Sequence, residues 1–325
     1  MRTKLAHLTY AVLAIALVLT LVAFHDQLAR LDFGLLSGSF PELLCVTFLA
    51  LCSYLIRSYR WLWMLRKLGY PLPVGFAHIT YFAGFAFTLA PGKVGELAKC
   101  MYYRGFSKTR VTTAYTIERA IDLVVFICLA SFLTATLANQ YYWTIWIPGA
   151  VVSTGLVILV MFPYRRLQSW QDHLPRSLTA HGGTMVATAR TLLSWRGTTF
   201  QLAMGVLAWG SEAATLYVLS SLSSTVTIGL TDAIGIYAVA MIVGAISFLP
   251  GGLGTTEATL VALLTAIGFP VSEALLITVT CRFVTLWFAI ALGWGAVVLL
   301  RLRGYSDAVA AKSMVIPPQK RGNQK

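Results

Sequence analysis

Charged residues are scarce in this sequence. Asp, Glu, Lys and Arg make up 11% of the 325 residues, whereas 58% of the residues are hydrophobic. A typical soluble domain has about 25% charged residues. The core of a single soluble domain could not bury this much apolar surface, so the composition excludes an ordinary soluble protein.

The sequence also lacks the motifs of common catalytic and metal sites. It contains no HExxH, DDxxD or GxSxG motif and no Gly-rich phosphate loop, and its five histidines are scattered. Its five cysteines show no CxxC or Cys/His spacing, so we interpret them as small apolar packing residues. We therefore expect no metal, no cofactor and no enzymatic activity, with an intramembrane transferase as a minor alternative.

Long apolar runs are abundant. Six of them approach the roughly 20 residues that a helix needs to cross a bilayer. Arg2 and Lys4 precede the first run, which also suits a signal peptide, but we interpret it as a retained helix because more spans follow. The sequence thus predicts an all-α, polytopic integral membrane protein with about six full transmembrane helices. The runs cover residues 5–24, 40–56, 121–137, 142–162, 200–222 and 274–300.

The basic residues indicate which loops lie in the cytoplasm. Of the 25 Lys and Arg residues, 21 fall in five clusters that we assign to the cytoplasmic side, and the predicted outer loops contain only Arg30. Both termini and a basic loop at 163–199 are therefore predicted to be cytoplasmic. The net charge of +13 then reflects topology rather than nucleic-acid binding. The clusters are Arg2 and Lys4; Arg57, Arg60, Arg66 and Lys67; Lys99, Arg104, Lys108 and Arg110; Arg165, Arg166, Arg176, Arg190 and Arg196; and Arg301, Arg303, Lys312, Lys320, Arg321 and Lys325.

Two further apolar stretches cannot be full crossings, because the chain must return to the side it came from. We predict two re-entrant helical hairpins that enter from opposite faces. Non-helical backbone at membrane depth is tolerated only where it is buried or lines a wet cavity, so the two turns predict one internal site. The first hairpin runs over 74–90, turns at 91–95 and returns to 99–110, and the second runs over 232–249, turns at 250–254 and returns to 268–270.

The two hairpins resemble each other in sequence. Each has a Pro-Gly break, a further glycine and then a glutamate, Glu96 or Glu257. The helices that follow carry Arg119 and Arg282, which come 28 and 32 residues after the prolines of the breaks. We therefore predict an inverted repeat, as in many secondary transporters, with chance similarity between apolar helices as the alternative. The halves cover about 74–137 and 232–300.

The same elements supply the groups of an anion site. A half-helix that starts inside the membrane presents free N–H groups and a partial positive charge. An arginine in the bilayer is costly unless it meets a carboxylate, carbonyl groups or a phosphate. We therefore predict a binding site for a lipid phosphate. Its predicted residues are Arg119, Arg282, Lys93, Gly92, Gly95, Gly251, Gly252 and Gly254.

Five carboxylates near these positions allow two interpretations. They couple transport to protons, or they hold ion pairs and offset helix dipoles. Glu118 and Asp122 are spaced to pair with Arg119 or to share a proton between them. Glu212 has no partner nearby in the sequence, so a contact with another helix is expected. The five are Glu96, Glu257, Glu118, Asp122 and Glu212.

Three segments carry a resemblance to a known family. They are LAPGKVGE, IERAIDLVVF and FLPGGLGTTEATLVALLTAIGFPVSEALLITVTCRFVTLWFAIALGWG. They resemble the flippase-like transmembrane domain family, which also forms the membrane portion of lysylphosphatidylglycerol synthases, and the resemblance covers roughly residues 40–300. It implies movement of a lipid between leaflets. Only a short polar tail follows Leu302, so the resemblance does not extend to lysine transfer.

The sequence and the resemblance lead to one expected function. Residues 1–304 form a lipid-transporter-like domain in the bacterial inner membrane, and 305–325 form a disordered cytoplasmic tail. The expected ligand is an anionic phospholipid or a polyprenyl-phosphate-linked lipid, which the protein binds or moves across the membrane. The alternative is a non-transporting membrane partner of an envelope lipid or glycan biosynthesis enzyme.

Overall fold

The computed structural model describes residues 38–103, 105–133, 176–223 and 226–303, and the secondary structure in these ranges is all helical, as predicted. The α-helices are α1 (Phe40–Lys67), α2 (Val74–Phe85), α3 (Lys108–Ala130), α4 (Arg176–Leu192), α5 (Trp195–Ser220), α6 (Leu230–Ile246), α7 (Thr255–Ile267), α8 (Val271–Arg282) and α9 (Phe288–Leu302). The 3-10 helices are Pro91–Tyr102, Ser131–Leu133 and Pro250–Gly252, and a π-helical turn, Phe283–Trp287, joins α8 to α9.

Within the described ranges, three helical stretches are long and apolar enough to cross a membrane. The outer face of α1 shows why such a helix suits lipid, since Phe40 and Phe48 are 73% and 63% exposed. Apolar side chains are stable against hydrocarbon, and a helix satisfies its own backbone N–H and C=O groups there. The predicted runs at 5–24 and 142–162 lie outside the described residues. The three stretches are Phe40–Lys67, Trp195–Ser220 and Val271–Leu302.

α3 begins well before the apolar run that predicts a span at 121–137. The hydroxyl of Ser107 accepts a hydrogen bond from the N–H of Arg110 at 3.4 Å, which caps the first turn. The helix consequently carries Glu118, Arg119 and Asp122 in its middle. Partners on other elements offset these charges, so a polar segment continues as a helix inside the protein.

The first hairpin consists of α2, a turn over 86–90 and the 3-10 helix Pro91–Tyr102. The sequence predicts a short helix after the break, and the observed segment is helical but has the tighter 3-10 winding. The backbone is closely packed here, because a Cβ atom on Gly95 would collide with the carbonyl oxygen of Phe87. Glycine therefore lets the returning segment approach the end of the first arm.

The second hairpin consists of α6, the break at Pro250–Gly252 and α7, within a few residues of the predicted bounds. Gly251, Gly252 and Gly254 have φ values of 61°, 68° and 83°. Residues with a side chain rarely adopt such values, so the break requires glycine. The N–H of Gly254 donates to the carboxylate of Glu257 at 2.7 Å, which caps the start of α7.

The first arm of each hairpin packs against a helix from the other half of the chain. α1 and α5, which precede the two hairpins, pack along each other. The first arm of the first hairpin, α2, packs on α9, and the first arm of the second hairpin, α6, packs on α3. The two breaks contact each other. This arrangement brings both breaks and both arginine-bearing helices around one centre.

Two glycines permit the close approach of the exchanged arms. A Cβ atom on Gly235 of α6 would collide with the backbone of Leu133, and one on Gly293 of α9 would collide with the backbone of Ala86. Small residues at helix contacts let backbones approach in a membrane, where packing rather than hydrophobic burial drives association. The second hairpin therefore depends on Gly235 for its contact with Leu133, and the first depends on Gly293 of α9 for its contact at Ala86.

Part of the region predicted as a basic loop at 163–199 is helical. α4 packs against α3, and α5 already begins at Trp195. The distribution of positive charge predicts a membrane side for these residues, but it does not distinguish a loop from a helix. The predicted loop and the observed helices differ for this reason. Residues 163–175 and the tail at 305–325 lie outside the described residues.

Candidate functional site

A cavity of about 210 Å³, called here the larger cavity, lies where the second break faces α3. Its polar side is formed by Arg119 and Asp122 of α3, and Gly251 and Gly252 of the break lie opposite. The volume is below the roughly 300 Å³ at which pockets for whole small molecules begin, so it suits a head group rather than a complete lipid. The remaining lining residues are Leu123, Phe126, Trp209, Met241, Gly244, Ala245, Leu249 and Thr256.

A smaller cavity of about 30 Å³ adjoins the larger one and shares Trp209, Met241 and Gly251 with it. The Nε of Arg57 and the Oγ1 of Thr88 are buried in its wall and have no hydrogen-bond partner among the described residues. A cavity of this volume has room for one or two waters, which could satisfy such groups. Its charged and hydroxyl lining residues are Arg57, Thr88, Glu96, Glu212, Arg282 and Thr285.

Arg119 lies at the boundary between the two cavities. It lines the larger cavity, and its Nη1 is 3.4 Å from the Oε2 of Glu96, which lines the smaller one. Its Nη2 is 3.1 Å from the Oδ2 of Asp122 and 3.4 Å from the Oε2 of Glu118. The side chain is 20% exposed, and its Nε has no hydrogen-bond partner in the described ranges. Arg119 therefore lines the larger cavity with a partly exposed side chain, while its Nε is buried.

Two other cations hold the carboxylates of α3. The Nη2 of Arg60 is 2.6 Å from the Oδ1 of Asp122 and 3.6 Å from the Oε1 of Glu118. The Nζ of Lys99 donates to the Oε2 of Glu118 at 2.7 Å and lies 4.0 Å from the ring centre of Trp61, so cation–π attraction adds to the ion pair. Both carboxylates are therefore paired independently of Arg119.

In the second half, two hydrogen bonds hold Arg282. Its Nε donates to the Oε1 of Glu257 at 2.6 Å, and its Nη2 donates to the carbonyl oxygen of Gly251 at 2.9 Å. The side chain is 5% exposed. Because Glu257 also caps α7 through Gly254, Arg282 connects the break to the helix that follows it. Arg282 therefore supports the wall of the site.

Glu212 of α5 joins three helices. Its Oε2 accepts a hydrogen bond from Ser53 of α1 at 2.8 Å, and its Oε1 accepts one from Tyr237 of α6 at 2.7 Å. The Nη1 of Arg57 is 3.7 Å away, and the guanidinium of Arg57 lies 4.3 Å from the ring centre of Trp209. The three partners of Glu212, Ser53, Arg57 and Tyr237, all lie on other helices. Glu212 thus holds the two pre-hairpin helices together.

The two halves use the same acid–arginine arrangement with different contacts. Glu96 follows the first break and pairs with Arg119 of the next long helix, and Glu257 follows the second break and pairs with Arg282. The nitrogen–oxygen distance is 3.4 Å in the first pair and 2.6 Å in the second. The second pair is therefore tight, whereas the first is loose and its arginine is shared among three carboxylates.

Among the side chains that the structure describes, the charges at this centre balance, and we call these ten residues the central cluster. Five cations face five carboxylates. A neutral cluster avoids the cost of an uncompensated charge in a low-dielectric interior. An anion that binds here therefore adds a charge that another change must offset. The cations are Arg57, Arg60, Lys99, Arg119 and Arg282, and the carboxylates are Glu96, Glu118, Asp122, Glu212 and Glu257.

Comparison with known protein families matches residues 5–293 to the lysylphosphatidylglycerol synthase TM region. The chain belongs to this family. The match spans both breaks and the whole central cluster, and it confirms the resemblance found in the sequence. A comparison with curated proteins found no match. Membership of the lysylphosphatidylglycerol synthase TM family, together with the apolar helices, identifies a multi-pass membrane protein whose family is related to lipid synthesis and lipid flipping.

In this member of the lysylphosphatidylglycerol synthase TM family, the predicted phosphate residues do not form a single group. Arg119 lines the larger cavity with Gly251 and Gly252, whereas Arg282 lines the smaller one. Gly95 and Gly254 shape the backbone of the hairpins. Gly92 falls within the 3-10 helix Pro91–Tyr102, and the side chain of Lys93 lies outside the described residues.

The positive-charge argument assigns three residues of the central cluster to cytoplasmic loops, and this assignment is wrong. Arg57, Arg60 and Lys99 are 5%, 0% and 1% exposed and contact buried carboxylates. Arg57 and Arg60 are buried because α1 continues to Lys67, well past the apolar run that ends at 56. Lys99 is buried because it lies on the 3-10 helix Pro91–Tyr102, where it contacts Glu118 of α3. The spacing of the buried residues Arg57, Arg60 and Trp61 is that of one helix face, and this signal was available in the sequence.

Proposed function

We propose that this protein binds the phosphate of a membrane lipid in the larger cavity and moves the lipid head group between the leaflets of the bacterial inner membrane. One observation carries the proposal: Arg119, which is 20% exposed and held by its three carboxylates at 3.1–3.4 Å, lines a cavity of head-group size together with the glycines of the second break. The family match supports a lipid-related role for the membrane domain.

The chemistry of the cavity suits a phosphate. A guanidinium presents donors in a planar fork that grips two oxygens at once. Gly251 and Gly252 have no side chain, so a ligand can approach the backbone closely on the opposite wall. The apolar lining from α5 and α6 gives the glycerol end of a lipid a surface to contact, and the chains remain in the bilayer.

Two lipid classes share this chemistry, an anionic phospholipid and a polyprenyl-phosphate-linked lipid. Both present a phosphate group at the base of a hydrocarbon chain. We propose that the protein carries such a lipid without covalent chemistry, with the central cluster acting as a binding site.

We further propose a topology of six crossings and two re-entrant hairpins related by an inverted repeat, with both termini in the cytoplasm. Three observations support it: each hairpin has a helix, a connection and a second helical segment, their first arms exchange partners, and each half has a Glu–Arg pair. In transporters with inverted repeats, rocking of one half against the other exposes a central site to alternate sides. The same motion would move the head group.

Transport of labelled lipid tests the proposal. The purified protein is placed in vesicles that contain a trace of fluorescent phosphatidylglycerol, and a membrane-impermeant reductant bleaches the outer leaflet. The proposal predicts that the bleached fraction rises above that of protein-free vesicles, and that Arg119→Ala protein which is folded loses the increase. Mass spectrometry of lipids retained after mild purification would name the head group. If the protein moves no lipid and co-purifies stably with an envelope biosynthesis enzyme, the partner function replaces transport.

A further inference from the structure

We propose that Glu96 competes with the lipid phosphate for Arg119, and that Glu96 takes up a proton when the lipid binds. This inference rests on the proposed phosphate site and assigns a role to the carboxylate on its far side. Phosphate in the larger cavity and Glu96 in the smaller cavity are then alternative partners of one guanidinium. Lipid and proton consequently enter the site together.

Of the three carboxylates that contact Arg119, Glu96 depends most on that contact. Its nitrogen–oxygen distance to Arg119 is 3.4 Å. Asp122 and Glu118 have other cations at 2.6 Å and 2.7 Å, so they remain neutralised if the guanidinium moves. Among the side chains that the structure describes, a phosphate that draws Arg119 into the larger cavity therefore leaves Glu96, and not the other two carboxylates, without a cation in ion-pair contact.

The charge balance of the central cluster explains why a proton is needed. Five cations already face five carboxylates, and a lipid phosphodiester adds one negative charge. An uncompensated charge in the bilayer interior is strongly unfavourable. A proton that binds the carboxylate of Glu96 restores neutrality without breaking another bond. The smaller cavity has room for one or two waters that could deliver this proton.

The other titratable groups around Glu96 do not replace Arg119. Lys99 is bonded to Glu118 at 2.7 Å. Arg57 interacts electrostatically with Glu96 as well as with Glu212, from which it is 3.7 Å away. Among the described side chains, Arg119 is the cation within ion-pair distance of Glu96. The second break, which also packs against this segment, contains no titratable side chain within Pro250–Gly252. The groups that interact electrostatically with Glu96 are Arg57, Tyr81, Lys99, Tyr115 and Arg119, and the smaller cavity adds Glu212 and Arg282.

Glu257 provides a matched control within the chain. It occupies the corresponding place after the second break, but it holds Arg282 at 2.6 Å and also accepts the N–H of Gly254. Arg282 does not line the larger cavity. Loss of charge at Glu257 should therefore weaken the fold without freeing a cation for the ligand, whereas loss of charge at Glu96 should free Arg119.

The test measures binding of dihexanoyl phosphatidylglycerol to the detergent-solubilised full chain at pH 6 and pH 8. The phosphodiester of this lipid does not titrate in that range. Uptake of one proton per lipid strengthens binding at low pH by up to about tenfold per pH unit, so the parent should bind about tenfold or more weakly at pH 8. Glu96→Gln should bind about tenfold more tightly than the parent at pH 8 and change less than about twofold with pH. Glu257→Gln should show no tightening.

Proton uptake by the parent needs no variant and covers the case in which Glu96→Gln misfolds. Calorimetry in two buffers of different ionisation enthalpy should give close to one proton per lipid at pH 8. Glycerophosphoglycerol, the same head group without chains, shows whether the site recognises a free phosphodiester or a lipid. No proton uptake, no tightening in Glu96→Gln, or equal tightening in Asp122→Asn overturns the proposal while the phosphate site stands. If the parent binds neither ligand, the proposed function fails as well.

Discussion

The pair formed by Arg282 and Glu257 allows a quantitative prediction about what holds the second break in place. Arg282→Ala removes a 2.6 Å ion pair and a 2.9 Å hydrogen bond to the carbonyl oxygen of Gly251, both in a nearly unexposed environment. Breaking one side of a buried ion pair costs about 3–5 kcal/mol in soluble proteins. Hydrogen bonds between membrane helices contribute less, about 0.6–2 kcal/mol. We therefore expect Arg282→Ala to lower the free energy of unfolding by about 3 kcal/mol.

A double-mutant cycle with Glu257→Gln isolates the pair. The amide oxygen can still accept the N–H of Gly254, so this variant mainly removes the charge. Reversible unfolding in mixed micelles gives the free energies for both single variants and the double variant. We predict a coupling energy of about 1–2 kcal/mol, because either single change already breaks the same contact. If the two losses add within about 0.5 kcal/mol, the side chains do not act as a pair and the described support of the break is wrong.

Three further perturbations test other contacts. Gly235→Leu should lower the free energy of unfolding by about 1–3 kcal/mol or prevent folding, because its Cβ collides with the backbone of Leu133. Gly182→Ala, in open space within α4, should raise it by about 0.5–1 kcal/mol, because alanine favours a helix over glycine. Thermal unfolding in detergent measures both. Tyr237→Phe should lower the free energy of unfolding by about 1–2 kcal/mol, because it removes the hydrogen-bond donor to Glu212. Unfolding in micelles measures the change, and a value equal to that of the parent would contradict it. A cysteine at Lys108 in a cysteine-free background should react with an impermeant thiol reagent only from the cytoplasm, and labelling from outside would reverse the topology.

The elements that depend on local pattern were predictable from the sequence. The Pro-Gly motifs at 91 and 250 lie between the two arms of each hairpin, because proline does not continue a preceding helix, and the second motif also has positive-φ glycines. The matched order of a glutamate and then an arginine after each motif was visible in the sequence, but the pairs Glu96–Arg119 and Glu257–Arg282 were not predicted. The all-helical fold follows from the length and composition of the apolar runs. None of these requires knowledge of which helices touch.

The residues that the sequence did not reveal depend on contacts far apart in the chain. Ser53 and Tyr237 bind Glu212 from positions 159 and 25 residues away, and no local pattern identifies them. Arg57 and Arg60 have the spacing of one helix face, but that spacing does not identify the carboxylates that they contact. Their burial is decided by the carboxylates of α3 and α5. The 3-10 winding after the first break likewise reflects close packing at Gly95, which sequence does not specify.

Lipid binding by Arg119→Lys, expressed per folded molecule, tests the central claim most directly. Lysine keeps the positive charge but loses the planar fork that grips two phosphate oxygens. If Arg119 binds the phosphate, phosphatidylglycerol binding falls about tenfold while the folded fraction stays close to that of the parent. If Arg119 only balances the carboxylates of the central cluster, Arg119→Lys binds and moves lipid like the parent, and that result would contradict a phosphate site in the larger cavity.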